Sequence, residues 1–229
     1  MNAARLTAFS VTALAAIAAL TLAWPRLHAS YRYLPVDIAI DRYFSSRAIP
    51  TDRLPVLMRF ARDAISINDH YHYHNGLSLL HLLKALDWNT PALERRDEYL
   101  ASAHEAGESL QRAPVQPATW LRLANVRWIL REEPEQIVSA WKMSIFTGRT
   151  HTSLLPQRIE IGLAHREYME EEGLAMLRDQ LLLAWRVQPG TLVEVLSRRD
   201  PELLIVRPLL ESTHPLALDE MEAWLARLP

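Results

Sequence analysis

The stretch "NDHYHYHNG", residues 68–76, carries three histidines, the first side chains in this sequence whose type and spacing could do chemistry. Imidazole changes charge near neutral pH, and in its neutral form it is a common metal ligand. His70 and His74 have the i, i+4 spacing with which two rings on a helix can share one metal ion. On a helix turning ~100° per residue, residues 70–86 bring His70, His74 and His81 onto one stripe, with Ser78 and Ala85 beside them. His72 falls on the other side with Leu79, Leu80, Leu82, Leu83 and Leu86. Asn68 and Asp69 are expected to cap this helix. The pattern predicts a solvated or groove-facing polar stripe. The alternative is a metal-binding module or metal-dependent hydrolase on His70, His74 and His81, which needs a further ligand and supporting carboxylates, with Asp69 or Asp63 as the nearest suppliers.

Other patterns point away from catalysis. "HEAGE", 104–108, has Glu108 where the metalloprotease pattern requires its second histidine, so His104 and Glu105 read as a solvated helix face. Glu170, Glu171 and Glu172 read as exposed helix or turn. No G-x-S-x-G elbow, phosphate-binding glycine loop or dinucleotide fingerprint occurs. Neither a catalytic residue nor a cofactor is expected. A second constellation is basic and aromatic. Trp120 and Trp128 lie eight residues apart, and Arg122, Arg127, Arg131 and Arg158 are expected to join Trp128 in a concave groove for an acidic peptide or anionic sugar.

Composition narrows the field further. The 229 residues carry a net charge of −2, which implies no general attraction to nucleic acid. No cysteine is present, so disulfides, thiolate metal sites and cysteine nucleophiles are excluded. Lys84 and Lys142 are the only lysines, leaving arginine as nearly the whole basic complement. Six glycines against abundant Leu, Ala, Glu and Arg favour helix over a sheet with tight glycine turns.

The elements that must position these residues start with an apolar run. Residues 6–24 contain no charge, and Pro25 and Arg26 end them. At ~1.5 Å per residue they span roughly 28 Å, the hydrocarbon thickness of a bilayer. Residues 1–25 are read as a transmembrane anchor, with a cleaved signal peptide as the alternative. Leu6 belongs to its apolar surface, Trp24 suits the interface, and Ala15 and Ala19 allow a partner helix to approach. A short basic start followed by an apolar run predicts a bacterial inner-membrane protein with a periplasmic body, whereas Arg26, Arg32, Arg42 and Arg47 after the run favour the cytoplasmic face. Residues 26–53 read as a juxtamembrane connector with a short helix near 36–46, and residues 54–229 as an α-helical repeat domain. Breakers at 68–70, 89–91, 113–117, 132–134, 147–153, 188–190 and 200–201 separate helical patterns, and no strand alternation is found. The fold class is all-α.

A pentad similarity, "AWKMS" at 140–144 and "AWRVQ" at 184–188, fits a two-helix repeat offset by 44 residues. Trp120, Leu123 and Ala124 resemble the opening of a tetratricopeptide (TPR) repeat, while Ala140 and Gly148 depart from that family where an aromatic and a proline are usual. "AWKMSIFTG" also resembles segments of membrane-anchored helical proteins from bacterial envelope and exopolysaccharide systems, over about residues 140–190. These resemblances imply a TPR-like helical solenoid that acts as an adaptor or scaffold, or as an accessory subunit, for protein partners in a membrane complex.

Overall fold

A computed structural model describes residues 3–45 and 48–227, with side chains at 12 and from 14 onwards. All regular structure among the described residues is helical, as the residue pattern predicted. The chain divides into two compact units, residues 1–112 and 113–229. Helices α1 (Ala3–Phe44), α2 (Leu54–Ile67), α3 (Tyr71–Leu86) and α4 (Ala92–Arg112) build the first.

The first unit corrects the expected connector. Instead of a connector with a short helix near 36–46, α1 runs unbroken through Pro25 and Pro35 to Phe44. Each proline removes one backbone donor, yet Ala29, Tyr33 and Val36 beyond Pro25 are wholly buried, and this burial holds the segment helical. They pack on α2, whose buried Leu54, Leu57, Met58, Ala61 and Ala64 recur at helical spacing, and on Tyr73, Leu77 and Leu80 of α3. One position sets the approach of α1 to α3. A Cβ placed on Gly76 would stand 1.6 Å from the Tyr33 hydroxyl oxygen and 3.1 Å from Ile40 Cδ1. Tyr33 reaches across that gap to donate its hydroxyl to the His72 carbonyl, 3.3 Å away.

Before Ala29, α1 has a different surface. Leu14, Ile17, Leu20, Leu22, Trp24 and Leu27 are all exposed. Among the described residues no helix is long and apolar enough to cross a membrane. The predicted anchor is only partly covered, because the Leu6 side chain lies outside the described residues.

The second unit holds α5 (Pro117–Leu130), α6 (Pro134–Thr147), α7 (Leu155–Ala164), α8 (Glu171–Val187), α9 (Pro189–Arg199), α10 (Val206–Leu210) and α11 (Pro215–Leu225). Prolines open α5, α6, α7, α9 and α11 at the first turn, where a missing N–H costs no hydrogen bond. Helix α5 stops at Arg131, which takes the left-handed conformation at φ 58°. Its N–H reaches the Trp128 carbonyl while Glu132 N–H reaches that of Arg127, closing the last turn. The two members of the proposed pentad repeat differ in environment. Trp141 is wholly buried and donates its indole N–H to the Arg158 carbonyl at 2.7 Å, whereas Trp185 is half-buried and stands edge-on to Trp224.

Candidate functional site

The histidine stripe exists, but it faces inward. His74, Ser78, His81 and Ala85 are buried against α4, correcting the expected solvated surface. The physical reason is a second polar stripe, Glu98, Ser102, Glu105 and Ser109, with the same alternating spacing of four and three residues on α4. Antiparallel pairing sets the two stripes in one register. Ser78 Oγ donates to the Ser102 carbonyl at 2.9 Å, and Ser102 Oγ donates to the Ser78 carbonyl at 2.8 Å. These small residues let the helices close, so the longer side chains on either side meet. Glu105 Oε2 lies 2.6 Å from His74 Nδ1, and Glu98 Oε2 lies 2.5 Å from His81 Nδ1. Ser109 Oγ completes the seam by donating to the Tyr71 carbonyl at 2.9 Å. Glu105 is therefore half-buried on this seam, not part of a solvated face.

The two histidines sit in different electrostatic settings. Burial opposes a charge on His74, but Glu105 on Nδ1 and Asp69 Oδ1, 2.8 Å from Nε2, outweigh it and raise its pKa. A neutral ring can donate through only one nitrogen, so the arrangement favours imidazolium. Asp69 is pulled down to about 2, chiefly by Arg112 at 2.6 Å and then by His74. Arg112 also reaches Glu108 at 2.8 Å, so alternating charges tie the α2–α3 turn to the end of α4. Burial wins at His81 and pushes its pKa down, despite Glu98 beside it. Burial alone would raise Glu98, yet Lys84 at 2.5 Å and His81 hold it below its ordinary value. Neutral His81 then donates from Nδ1 to an ionised Glu98.

Opposite shifts give opposite pH windows. His74, with its folded pKa raised, contributes stability that is complete below about pH 6.5 and fades as pH rises through the folded pKa. His81, with its folded pKa lowered, contributes above about pH 6.5 and fades as pH falls. The urea midpoint of the parent is expected to decline on both sides of neutrality. His74→Gln is expected to flatten the alkaline limb and His81→Gln the acidic limb. Midpoints measured from pH 5 to 9 check this, and identical limbs in all three proteins would contradict it.

The three histidines do not converge on a metal. His70, not Asn68 or Asp69, caps α3, its Nδ1 accepting the His72 N–H at 3.3 Å. His74 commits both nitrogens to Asp69 and Glu105, and His81 turns to Glu98. Among the described residues no group of three His, Cys, Asp or Glu side chains is placed to hold a metal ion. His72 does not join the packed leucines; it is exposed and lies 2.8 Å from Asp37 of α1.

The predicted arginine groove is also dispersed. Arg158 is wholly buried. Its guanidinium donates through Nε to Ser144 Oγ at 3.0 Å, through Nη1 to the Gly148 carbonyl at 3.0 Å and Gln180 Oε1 at 3.1 Å, and through Nη2 to the Ser144 carbonyl. It thereby satisfies carbonyls left open where α6 ends, where a cation is also favoured by the helix dipole. Burial lowers its pKa to about 10, so the charge is retained at neutral pH. Arg127 pairs with Glu132 at 3.3 Å and donates to the Gln136 carbonyl, while Arg122 is half-buried and engaged. Arg131 and Trp128 share an opening, a cleft of about 440 Å³ with Glu132, Glu133, His165 and Tyr168. Trp128 carries Arg199 over its ring and His165 at its edge, each with a 5.3 Å separation.

Sequence reasoning missed Glu98, Ser102 and Ser109 and read Glu105 as solvated. The signal was available, since their spacing repeats that of the α3 stripe across a short turn. No protein-family model matches the chain, and no curated protein matches it significantly.

Proposed function

We propose that this protein is a membrane-anchored, non-catalytic helical adaptor that presents helical surfaces to protein partners in a bacterial envelope assembly. The observation that carries the reading is the two-part surface of α1. Its Leu14–Leu27 stretch exposes apolar side chains, and the same unbroken helix then becomes the wholly buried core element at Ala29, Tyr33 and Val36. Such a surface is stable in an apolar phase rather than in water. The uncharged run at 6–24, with Trp24 at its end and Ala15 and Ala19 along it, matches one bilayer span.

An adaptor is favoured over a metal-dependent hydrolase because His74 commits both ring nitrogens, one to Glu105 of α4 and one to Asp69 of the α2–α3 turn. Paired helices α5 and α6, joined by a three-residue turn at 131–133, support a TPR-like reading of the second unit. The body is assigned to the periplasmic side of the inner membrane, on the short basic start before the apolar run.

Alkaline carbonate extraction of the full chain tests the anchor. The parent is expected to stay with the membrane pellet, and Ile17→Arg with Leu20→Arg is expected to release most of it. Release of the parent itself would remove the reading. A reporter active on only one face, fused to the C-terminus, tests the assigned side.

A further inference from the structure

A cleft of about 550 Å³ opens in the first unit between α1, the 48–50 segment and the start of α2. Its floor is apolar: Leu34, Pro35, Ile38 and Ala39 form one stripe of α1, facing Ile49, Pro50 and the buried Leu57. Leu34 and Ile38 are still 49% and 43% exposed, so the protein itself leaves this stripe partly uncovered. Among the described residues, the charged side chains lining it are both cationic, Arg42 and Arg53. Both are exposed, and no ion pair among the described residues engages either guanidinium.

An apolar cleft with a few convergent polar groups is the usual form of a small-molecule site, and 550 Å³ lies within the range such sites occupy. Charge complementarity decides what kind of molecule fits. A neutral hydrocarbon would leave two guanidinium groups without a counter-charge at its end. A molecule with one alkyl chain and a planar carboxylate satisfies both halves, since guanidinium presents a fork that matches a carboxylate. The α1 stripe from Leu34 to Arg42 is about 12 Å long at 1.5 Å per residue, which accommodates the carboxyl-proximal part of one extended chain and is short for a docked partner helix. We propose that this cleft binds a long-chain carboxylate, with the alkyl chain along Leu34, Ile38 and Leu57 and the carboxylate held by Arg42 and Arg53.

The position on α1 separates this site from bilayer lipid. Leu34 follows Trp24 by ten residues, or about 15 Å along the helix, farther than the roughly 5–8 Å that headgroups add to each face of the hydrocarbon. The ligand is accordingly a free amphiphile and not a lipid still seated in the membrane. The cleft and its two arginines stand whether or not α1 spans a bilayer, and only the exclusion of membrane lipid rests on the proposed anchor.

The full chain in phosphatidylcholine nanodiscs, irradiated with a diazirine-bearing hexadecanoic acid, tests the proposal. Crosslinks mapped by peptide mass spectrometry are expected within residues 34–57, competed by hexadecanoate and not by hexadecanol. Arg42→Gln with Arg53→Gln is expected to cut labelling there at least about tenfold, the loss of one or more charge-assisted hydrogen bonds, with the helical circular dichroism unchanged. Ile38→Glu, which blocks the chain and not the head, is expected to abolish it. Labelling confined to the apolar run before residue 25, equal competition by hexadecanol, or undiminished labelling in both variants would overturn the proposal. Carbonate extraction reads the anchor separately, so the two conclusions fail independently.

Discussion

Arg158→Ala is expected to destabilise the second unit by about 3–5 kcal/mol, the range for removing one partner from a buried charged network. The side chain is wholly buried, and its donors serve the Ser144 and Gly148 carbonyls, Ser144 Oγ and Gln180 Oε1. Truncation strands these acceptors away from water and leaves a cavity where the guanidinium lay, and both effects carry a cost. Arg158→Lys keeps the charge but loses the planar fork, so it is expected to recover only part of the loss. Urea unfolding followed by tryptophan fluorescence gives the value, because Trp141 is bonded to the Arg158 carbonyl and reports on the same region. A loss below about 0.5 kcal/mol, the scale of a surface substitution, would show that α6 does not depend on this residue.

Gly76→Ala is expected to cost about 1–3 kcal/mol, although alanine is the better helix former by nearly 1 kcal/mol. The new methyl would stand 1.6 Å from the Tyr33 hydroxyl oxygen and 2.9 Å from Tyr33 Cζ, and the buried ring has little freedom to withdraw. The severest overlap is with the hydroxyl oxygen, so deleting that atom relieves most of the clash and leaves the milder contact at Cζ. Tyr33→Phe deletes that oxygen and its bond to the His72 carbonyl, a loss of about 1 kcal/mol. In the double variant the two losses are expected to fall short of additive by about 1 kcal/mol or more. Equilibrium unfolding of the four proteins in that cycle measures the coupling, and strict additivity would place the strain elsewhere.

Comparing these positions shows how far residue patterns reach. The turns at 68–70, 89–91, 113–117, 132–134, 147–153, 188–190 and 200–201 were legible because proline, glycine, asparagine and aspartate act on their own backbone. Each coincides with the end of one helix or the start of the next, although Pro117, Pro134, Pro189 and Gly190 already belong to the first turns of α5, α6 and α9. The grouping of His74 and His81 on one stripe was legible for the same reason, since helical periodicity is local. Its direction was not. A polar stripe reads as solvent-facing unless its partner is known, and the partner here is another polar stripe on α4.

Arg158 and Arg131 failed differently. An isolated arginine carries no mark that it will be buried, because what compensates its charge is the open end of α6, a feature formed only on folding. Arg131 serves as the left-handed stop of α5, a position where glycine is the usual choice. In α1, burial of Ala29, Tyr33 and Val36 overrode two prolines that locally argue for a break.

By itself the sequence determined that the regular structure among the described residues is helical, where most of the helices after α1 meet their turns, and which side chains share a helix face. These properties depend on contacts within a few residues. Tertiary structure alone decided which faces are buried, turning a histidine stripe into a helix–helix seam and an expected groove arginine into the buried brace of α6. Burial depends on complementary groups brought together from distant positions, and no local pattern records that meeting.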